Sequence, residues 1–348
     1  MKESLLDKFY EEIENIVEKA GERPFRAEQI FRAINSGLEI AEITTVPAAF
    51  REKLSEEYVG QPVKILESVK SKDGTEKFLF LLADGNIVEG VLMRYLYGNT
   101  LCVSTQVGCR MNCAFCASGL NGLIRDLTAG EILGEAVSVN RYLGGGLGDK
   151  RLVTNVVLMG SGEPLDNYDN VVKFLRLLSD GKGLNISPRN VSLSTAGLVP
   201  KMYDLGKEDL PVNLTVSLHS PFDDERAEIM PVAKTYKISE ILSACADFFE
   251  KTGRRYIFEY VLIKGRNDGE RHIKELIRLL KGRPCHVNII RLNEVTERDL
   301  SAADDKAAYR FSEELKKGGI SATVRRRLGD DIEGACGQLR RKYLNKGD

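Results

Sequence analysis

Three thiols stand within eight residues in the run Cys109-Arg-Met-Asn-Cys113-Ala-Phe-Cys116. Thiolates at this Cys-x3-Cys-x2-Cys spacing can each take one iron of a [4Fe-4S] cube and leave the fourth iron open to a substrate or cofactor. A structural zinc site is the alternative reading. Zinc wants four ligands, often in paired CxxC knuckles, and neither a second CxxC nor a nearby His supplies the fourth. Cys102, Cys245, Cys285 and Cys336 bring the total to seven. An odd number, with four crowded between 102 and 116, points to metal or redox chemistry over a disulfide framework. Cys245, in a helical pattern, and Cys285, at a strand start, read as small buried hydrophobes.

The elements that must position these thiols follow from periodicity. Residues 1–60 read as helical, with apolar positions at helical spacing in FYEEIENIV and AEQIFRAIN and a break near Val46-Pro47. Short strands follow in VKILESV, KFLFLL, IVEGVLM and LCVSTQ, with Asp73-Gly74 and Asp84-Gly85 where hairpin turns belong, an antiparallel meander. After residue 120 the chain alternates. Thr128 and Glu131 have capping-box spacing ahead of a helix, and VTNVVLM, NVSLST, VNLTVSL, RYIFEYVLI, CHVNII and SATVRR are strands separated by helices, three of them at 238–252, 270–281 and 305–317. With LCVSTQ as opener this makes six βα units. The expected fold is α/β, an incomplete (βα)6 barrel with right-handed crossovers, a small N-terminal helical domain and the strand meander. The divisions expected are 1–60, a helical accessory domain; 61–94, the meander; 95–330, the barrel; and 331–348, a basic tail carrying Cys336.

With 348 residues, 43% of them hydrophobic, the chain can bury one large core, which excludes a disordered protein. Lys and Arg total 50 against 51 Asp and Glu, so nucleic-acid binding has to come from local patches. Arg325, Arg326 and Arg327, with Arg340, Arg341 and Lys342, bracket Cys336; Lys70, Lys72 and Lys77 surround the first hairpin turn. No apolar run approaches the roughly 18 residues that span a bilayer. The start MKESLLDKFYEEIENIVEK lacks a signal-peptide core, so a cytoplasmic protein without a membrane partner is expected. Nothing suggests a coiled coil or swapped strand, and a monomer is expected.

The cysteine run after the first strand of a βα series resembles the radical S-adenosylmethionine (SAM) superfamily, and Gly160-Ser161-Gly162-Glu163-Pro164 resembles its GGEP element. The resemblance covers nearly the whole chain: CVSTQVGCRMNCAFCAS, MGSGEPLDNYDNV, LSTAGLVP, SLHSPFDDERAEIMP, FEYVLIKGRND, HVNII and TVRRRLGDDIEGACGQL are together similar to the RlmN/Cfr family of radical SAM RNA adenine methyltransferases, and nearest to its RlmN branch.

That resemblance implies Cys109, Cys113 and Cys116 as ligands of a [4Fe-4S] cluster. It implies SAM contacts from Gly162, Glu163, Ser194, Ser217, Leu218, His219 and Asn293. Cys336 matches the family's methyl-carrying cysteine, Cys102 its resolving cysteine, and Glu89 the carboxylate that removes a proton from the attacked carbon. One SAM would methylate the Cys336 sulfur. A second would yield the radical that takes a hydrogen from that methyl group, and the resulting CH2 would attack adenine. The Cys102 thiolate would then displace methylated base by forming a disulfide with Cys336. The implied substrates are an adenosine of 23S rRNA in the peptidyl transferase centre, methylated at C2, and an adenosine of the tRNA anticodon loop. An external electron donor of flavodoxin or ferredoxin type is implied as well. Ser161 stands where the family has Met, and SLHSP and IIRLN lean toward Cfr wording, which leaves C8 methylation as the alternative. A non-catalytic iron–sulfur RNA-binding factor is a further one.

Overall fold

A computed structural model of the chain describes residues 2–332, apart from Glu294 and Thr296, together with Tyr343. Cys336 and the basic cluster at 340–342 lie outside the described residues. The N-terminal part holds α1 (Tyr10–Lys19), α2 (Phe25–Asn35) and α3 (Ala48–Glu57), flanked by the two-residue strands β1 (Glu3–Ser4) and β2 (Tyr58–Val59), which pair in parallel. It is therefore helical with one small strand pair that periodicity does not reveal. It shares a core with the rest of the molecule, because Ile13, Val17, Ile30, Phe31 and Ile34 belong to one buried cluster with the barrel residues.

The meander comprises β3 (Val63–Lys70), β4 (Glu76–Leu82), β5 (Ile87–Tyr95) and β6 (Gly98–Val103), antiparallel throughout. Gly74 and Gly85 take φ of 88° and 83° in its first two turns, backbone that a side chain disfavours. β6 then pairs in parallel with β9 (Val153–Leu158), so the meander and the βα series form one ten-stranded sheet. From β9 the parallel order continues through β10 (Val191–Thr195), β11 (Asn213–Ser217), β12 (Tyr256–Leu262), β13 (Cys285–Arg291) and β14 (Ala322–Val324). The crossovers are α4 (Ala129–Tyr142), α5 (Tyr168–Leu178), α6 (Val199–Leu205), the pair α7 (Asp223–Ile229) and α8 (Ile238–Thr252), α9 (Glu270–Leu280) and α10 (Asp305–Lys317). β14 and β3 are the two edges and do not pair, so the barrel stays open.

The alternation within the strands explains which face does chemistry. Leu101, Val103, Val156, Leu158, Leu193, Leu214, Val216, Phe258, Tyr260, Val287 and Ile289 point one way into the buried core. The opposite, inner face carries Cys102, Ser192, Ser194, Thr215, Ser217, Glu259 and Asn288, which the pairing registers align across neighbouring strands. α4 begins with the predicted capping box: the Thr128 hydroxyl accepts from the Glu131 N–H and the Glu131 carboxylate accepts from the Thr128 N–H. Asp7 adds a second cap from the N-terminal region by accepting from the Gly130 N–H and the Thr128 hydroxyl.

One expected strand divides. LCVSTQ is straight only to Val103; β7 (Gln106–Gly108) turns out of the sheet and pairs with β8 (Leu123–Asp126). The reason is local: Thr105 N–H donates to the Ser161 carbonyl and the Ser161 N–H donates to the Ser104 hydroxyl, which stitches the end of β6 to the loop after β9 and redirects the chain. Among the described residues no helix is long and apolar enough to cross a membrane.

Candidate active site

The β7–β8 ribbon carries the cysteine loop over the mouth of the open barrel. Cys109 N–H donates to the Gly122 carbonyl at 3.0 Å, and Ala114 N–H to the Ile229 carbonyl at 2.8 Å, pinning the loop at both ends. Met111, Cys113, Ala114 and Phe115 pack on Ala196, Met230, Val261 and Leu292, which come from the ends of β10 and β12 and from the segments after α7 and β13. Gln106, wholly buried, ties the ribbon to the Gly160–Pro164 loop: its amide donates to Asp126 and Asp166 and accepts from the Glu163 N–H at 2.8 Å. Ser161 uses its hydroxyl to donate to the Gly108 carbonyl at 3.2 Å, a local role for the residue that departs from the family's Met.

Beneath the loop lies a cavity of about 270 Å³. Cys109, Cys113 and Cys116 line it together with Gly162, Glu163, Ser194, Ser217, His219 and Asn293, so the residues implied for cluster and SAM share one space. Leu218 does not line it; its side chain is in the core, and its contribution is a backbone that donates to the Glu259 carbonyl and accepts from Arg226. Cys102 and Glu89 are also outside the cavity, on the same inner face: Val91 of β5 pairs with Cys102, and Glu89 is two residues along. Met159, which lines the cavity, packs in one small cluster with Cys102, Val91 and Met93.

Burial pushes the Cys109 thiol up to about 12 and the Cys113 thiol higher still, so both hold their protons until a metal displaces them. Among the described residues no three His, Cys, Asp or Glu side chains gather tightly enough for a single metal ion. Positive charge is built in beside the thiols: Arg226, fully buried, donates to the carbonyls of Leu218, Ala196 and Ser217 while its Nη1 has no hydrogen-bond partner, and its charge favours the Cys113 thiolate. The donor set and this cation fit an anionic iron–sulfur centre.

His219 adopts φ of 57°, uncommon for a side chain with a Cβ. Asn267 holds that kink by donating to the His219 carbonyl at 2.7 Å. The ring stands edge-on to Phe115, 4.6 Å between centroids, and its Nδ1 accepts from the Val261 N–H at 3.0 Å. Burial first, and the Arg226 charge second, hold it down to about 3, so the imidazole is neutral and its proton is on Nε2. Glu163 is also buried, and burial raises it to about 7 against the hydrogen bonds it accepts from the Ala196 and Leu165 N–H groups. Those bonds fix the carboxylate as a clamp between the β9 and β10 loops as well as a cavity wall.

Two basic residues move from their expected places. Lys77, expected to grip RNA beside the first hairpin turn, is 0% exposed, and its Nζ is 3.1 Å from Glu89, itself 2% exposed. The β4–β5 register turns both side chains to the inner face, away from solvent. Arg325, expected among the RNA-binding charges that bracket Cys336, lines the cavity with its guanidinium 3.7 Å from Met159 Sδ; Arg326 and Arg327 are exposed. Sequence reasoning also missed Arg226 and Glu259. The signal for Glu259 is present, a lone charge inside the apolar run RYIFEYVLI.

This open α/β sheet with three thiols at its mouth defines the radical SAM class, and the family model described as the radical SAM superfamily matches residues 103–280. The chain is 49% identical over 344 residues to the probable dual-specificity RNA methyltransferase RlmN of Clostridium perfringens strain 13, covering 98% of this chain and 97% of that one. It is 48% identical over 345 residues to the protein of the same name from Clostridioides difficile strain 630, covering 98% and 99%. The crystal structure of a radical SAM methyltransferase from Sphaerobacter thermophilus superposes with a TM-score of 0.92 at 40% identity, covering 97% and 98%. The chain belongs to the RlmN family of radical SAM RNA methyltransferases. Membership implies SAM and a [4Fe-4S] cluster, for which the cysteines are present.

Proposed function

We propose that this protein methylates C2 of an adenosine in 23S rRNA at the peptidyl transferase centre and of an adenosine in the tRNA anticodon loop, using Cys336 as methyl carrier. The relatives' names state a dual-specificity RNA methyltransferase; the two RNAs and the C2 position follow the chain's resemblance to the RlmN branch. The observation that carries the reading is the shared inner face of Cys102 and Glu89, one to two strands from the cavity that Cys109, Cys113 and Cys116 cap. Bound there, SAM and the cluster supply a methyl group and, on one-electron reduction, a carbon radical. Gly162, Ser194, Ser217, His219 and Asn293 orient the cofactor, and the packed cysteine loop keeps water out.

The chain's own sulfurs do the rest. Cys336 takes the methyl group, gives up a hydrogen atom from it to the carbon radical and bonds through the resulting CH2 to adenine; Glu89 accepts the proton from the attacked carbon while the adduct's unpaired electron would leave to the redox centre held by the cysteine loop; the Cys102 thiolate then attacks the Cys336 sulfur, forming the S–S bond as the S–CH2 bond breaks, the released carbon takes up a proton to become the methyl group, and an external thiol or flavodoxin- or ferredoxin-type donor reduces the disulfide. Support for the encounter of 102 and 336 comes from Leu328, which packs in the Cys102 cluster eight residues before Cys336. Residues 1–60 and the exposed Arg326 and Arg327 are the proposed RNA contacts. Reaching C2 requires an unstacked adenine, which suits a loop.

The test is mass spectrometry of nucleosides from RNA incubated anaerobically with reconstituted protein, SAM and reductant. A 2-methyladenosine peak is expected; 8-methyladenosine alone would overturn the C2 assignment. Cys102→Ala should trap a covalent protein–RNA adduct on a denaturing gel, and undiminished turnover without adduct would remove Cys102 from the mechanism. Cys336→Ala should abolish methyl transfer with the cluster intact.

A further inference from the structure

Glu259 sits in the middle of β12 with 3% of its surface exposed, and it lines the cavity. One oxygen, Oε1, accepts from the Asn288 amide at 3.2 Å. The other, Oε2, has no hydrogen-bond partner, although a guanidinium nitrogen of Arg325 stands 4.0 Å away. Buried carboxylates are ordinarily satisfied on both oxygens, so an open acceptor facing a cavity marks a place for a donor from a ligand. Burial pushes the carboxyl above its usual range while Arg325 and Asn288 pull it back, which leaves the group ready for a donor that completes its hydrogen bonds.

The strand register narrows the class of donor. Ser217 pairs with Glu259 and Glu259 with Asn288, so a hydroxyl, a carboxylate and an amide form one row across β11, β12 and β13. Neighbouring strands lie about 4.8 Å apart, so Ser217 and Glu259 can flank a single sugar ring. A cationic ligand group would have to share Glu259 with the Arg325 guanidinium, whereas neutral hydroxyls add hydrogen bonds without adding charge. Carboxylates that accept from ribose hydroxyls are a recurring device of nucleotide sites.

We propose that Glu259 is a ligand-binding residue that accepts hydrogen bonds from the ribose hydroxyls of a nucleoside held in this cavity. The inference rests on the nucleoside cofactor and RNA substrate argued above. Two sugars have this chemistry, that of SAM and that of the target adenosine, and the experiment separates them.

Reconstituted protein and its Glu259→Gln variant are compared by equilibrium dialysis with SAM and with SAM lacking the 2′- or the 3′-hydroxyl. Both proteins are then compared by fluorescence anisotropy with an RNA hairpin whose target adenosine is ribo or 2′-deoxy. Wild-type protein should bind SAM on the order of tenfold or more tighter than a deoxy form, the scale of a charge-assisted hydrogen bond, and Glu259→Gln should erase that preference. Loss of discrimination confined to the hairpin assigns the carboxylate to the target nucleotide's sugar. Wild-type protein indifferent to every deoxy form, or a folded variant that keeps wild-type discrimination in both arms, would overturn the proposal. SAM that fails to bind wild-type protein at all would instead remove the parent reading, and this inference with it.

Discussion

Lys77 and Glu89 form an ion pair with almost no solvent on either side, and a buried pair is strongly coupled because each charge pays for its desolvation through the other. Lys77→Met strands the Glu89 carboxylate, and chemical denaturation should record a loss of about 3–5 kcal/mol. Adding Glu89→Gln should recover part of it, a non-additive cycle that independent sites would not give. His219 supplies a pH signature. Its folded value of about 3 lies below its unfolded value of 6.5, so the unfolded chain binds the extra proton between them. The His219 contribution to stability is thus present above 6.5 and lost as pH falls from 6.5 toward 3. Thermal melts of His219→Gln against wild type over that window should converge at the acid end, and parallel curves would contradict the assignment of a neutral ring.

Elements explain how a short loop with three thiols is held open toward a cavity. Gly108, the last residue of β7, has φ of 83°, and a Cβ there would fall 2.0 Å from the Gly122 carbonyl oxygen of the same ribbon. Gly108→Ala must therefore spread the ribbon that carries Cys109, combining backbone strain with a clash that no rotamer relieves. Iron analysis and the charge-transfer absorbance after anaerobic reconstitution should fall sharply in this variant, whereas Gly85→Ala, at a solvent-facing hairpin turn with nothing within 4 Å of a Cβ, should load normally. Arg226 acts at the same scale by joining the carbonyls that end β10 and β11 to α7.

Across the whole molecule, the chain after β14 returns over the inner face of the sheet to its far edge. Arg325 N–H donates to the Ile289 carbonyl, Leu328 packs near Cys102, and the Gly329 N–H donates to Asp73 at 2.9 Å while Asp331 accepts from Ser71 and the Lys72 N–H. The Asp73-Gly74 turn is thus both a hairpin turn and an anchor for the segment leading to Cys336. Truncation after residue 332 should preserve melting temperature within a few degrees, cluster content and SAM binding while abolishing RNA methylation, since the core elements and cavity lie upstream. Asp73→Ala, which frees the anchor, should slow methyl transfer several-fold with SAM affinity unchanged; an equal loss of SAM affinity would place the anchor's effect in the cavity instead.

The cysteine spacing, the Gly162-Glu163 loop and the alternation of strands and helices were legible in the chain itself, because short-range chemistry and periodicity are written along it. So was the capping box at Thr128, whose two partners are three residues apart. The tertiary structure alone decided whether Lys77 met solvent or Glu89, since that depends on which face of β4 a neighbouring strand covers. It alone turned LCVSTQ at Ser104, through bonds to a loop more than fifty residues away, and carried the meander into the same sheet as the barrel. Glu259 belongs to both accounts. A charge in an apolar strand announced itself in the sequence, but only the register of β11, β12 and β13 gave it a hydroxyl and an amide for neighbours and a cavity to face.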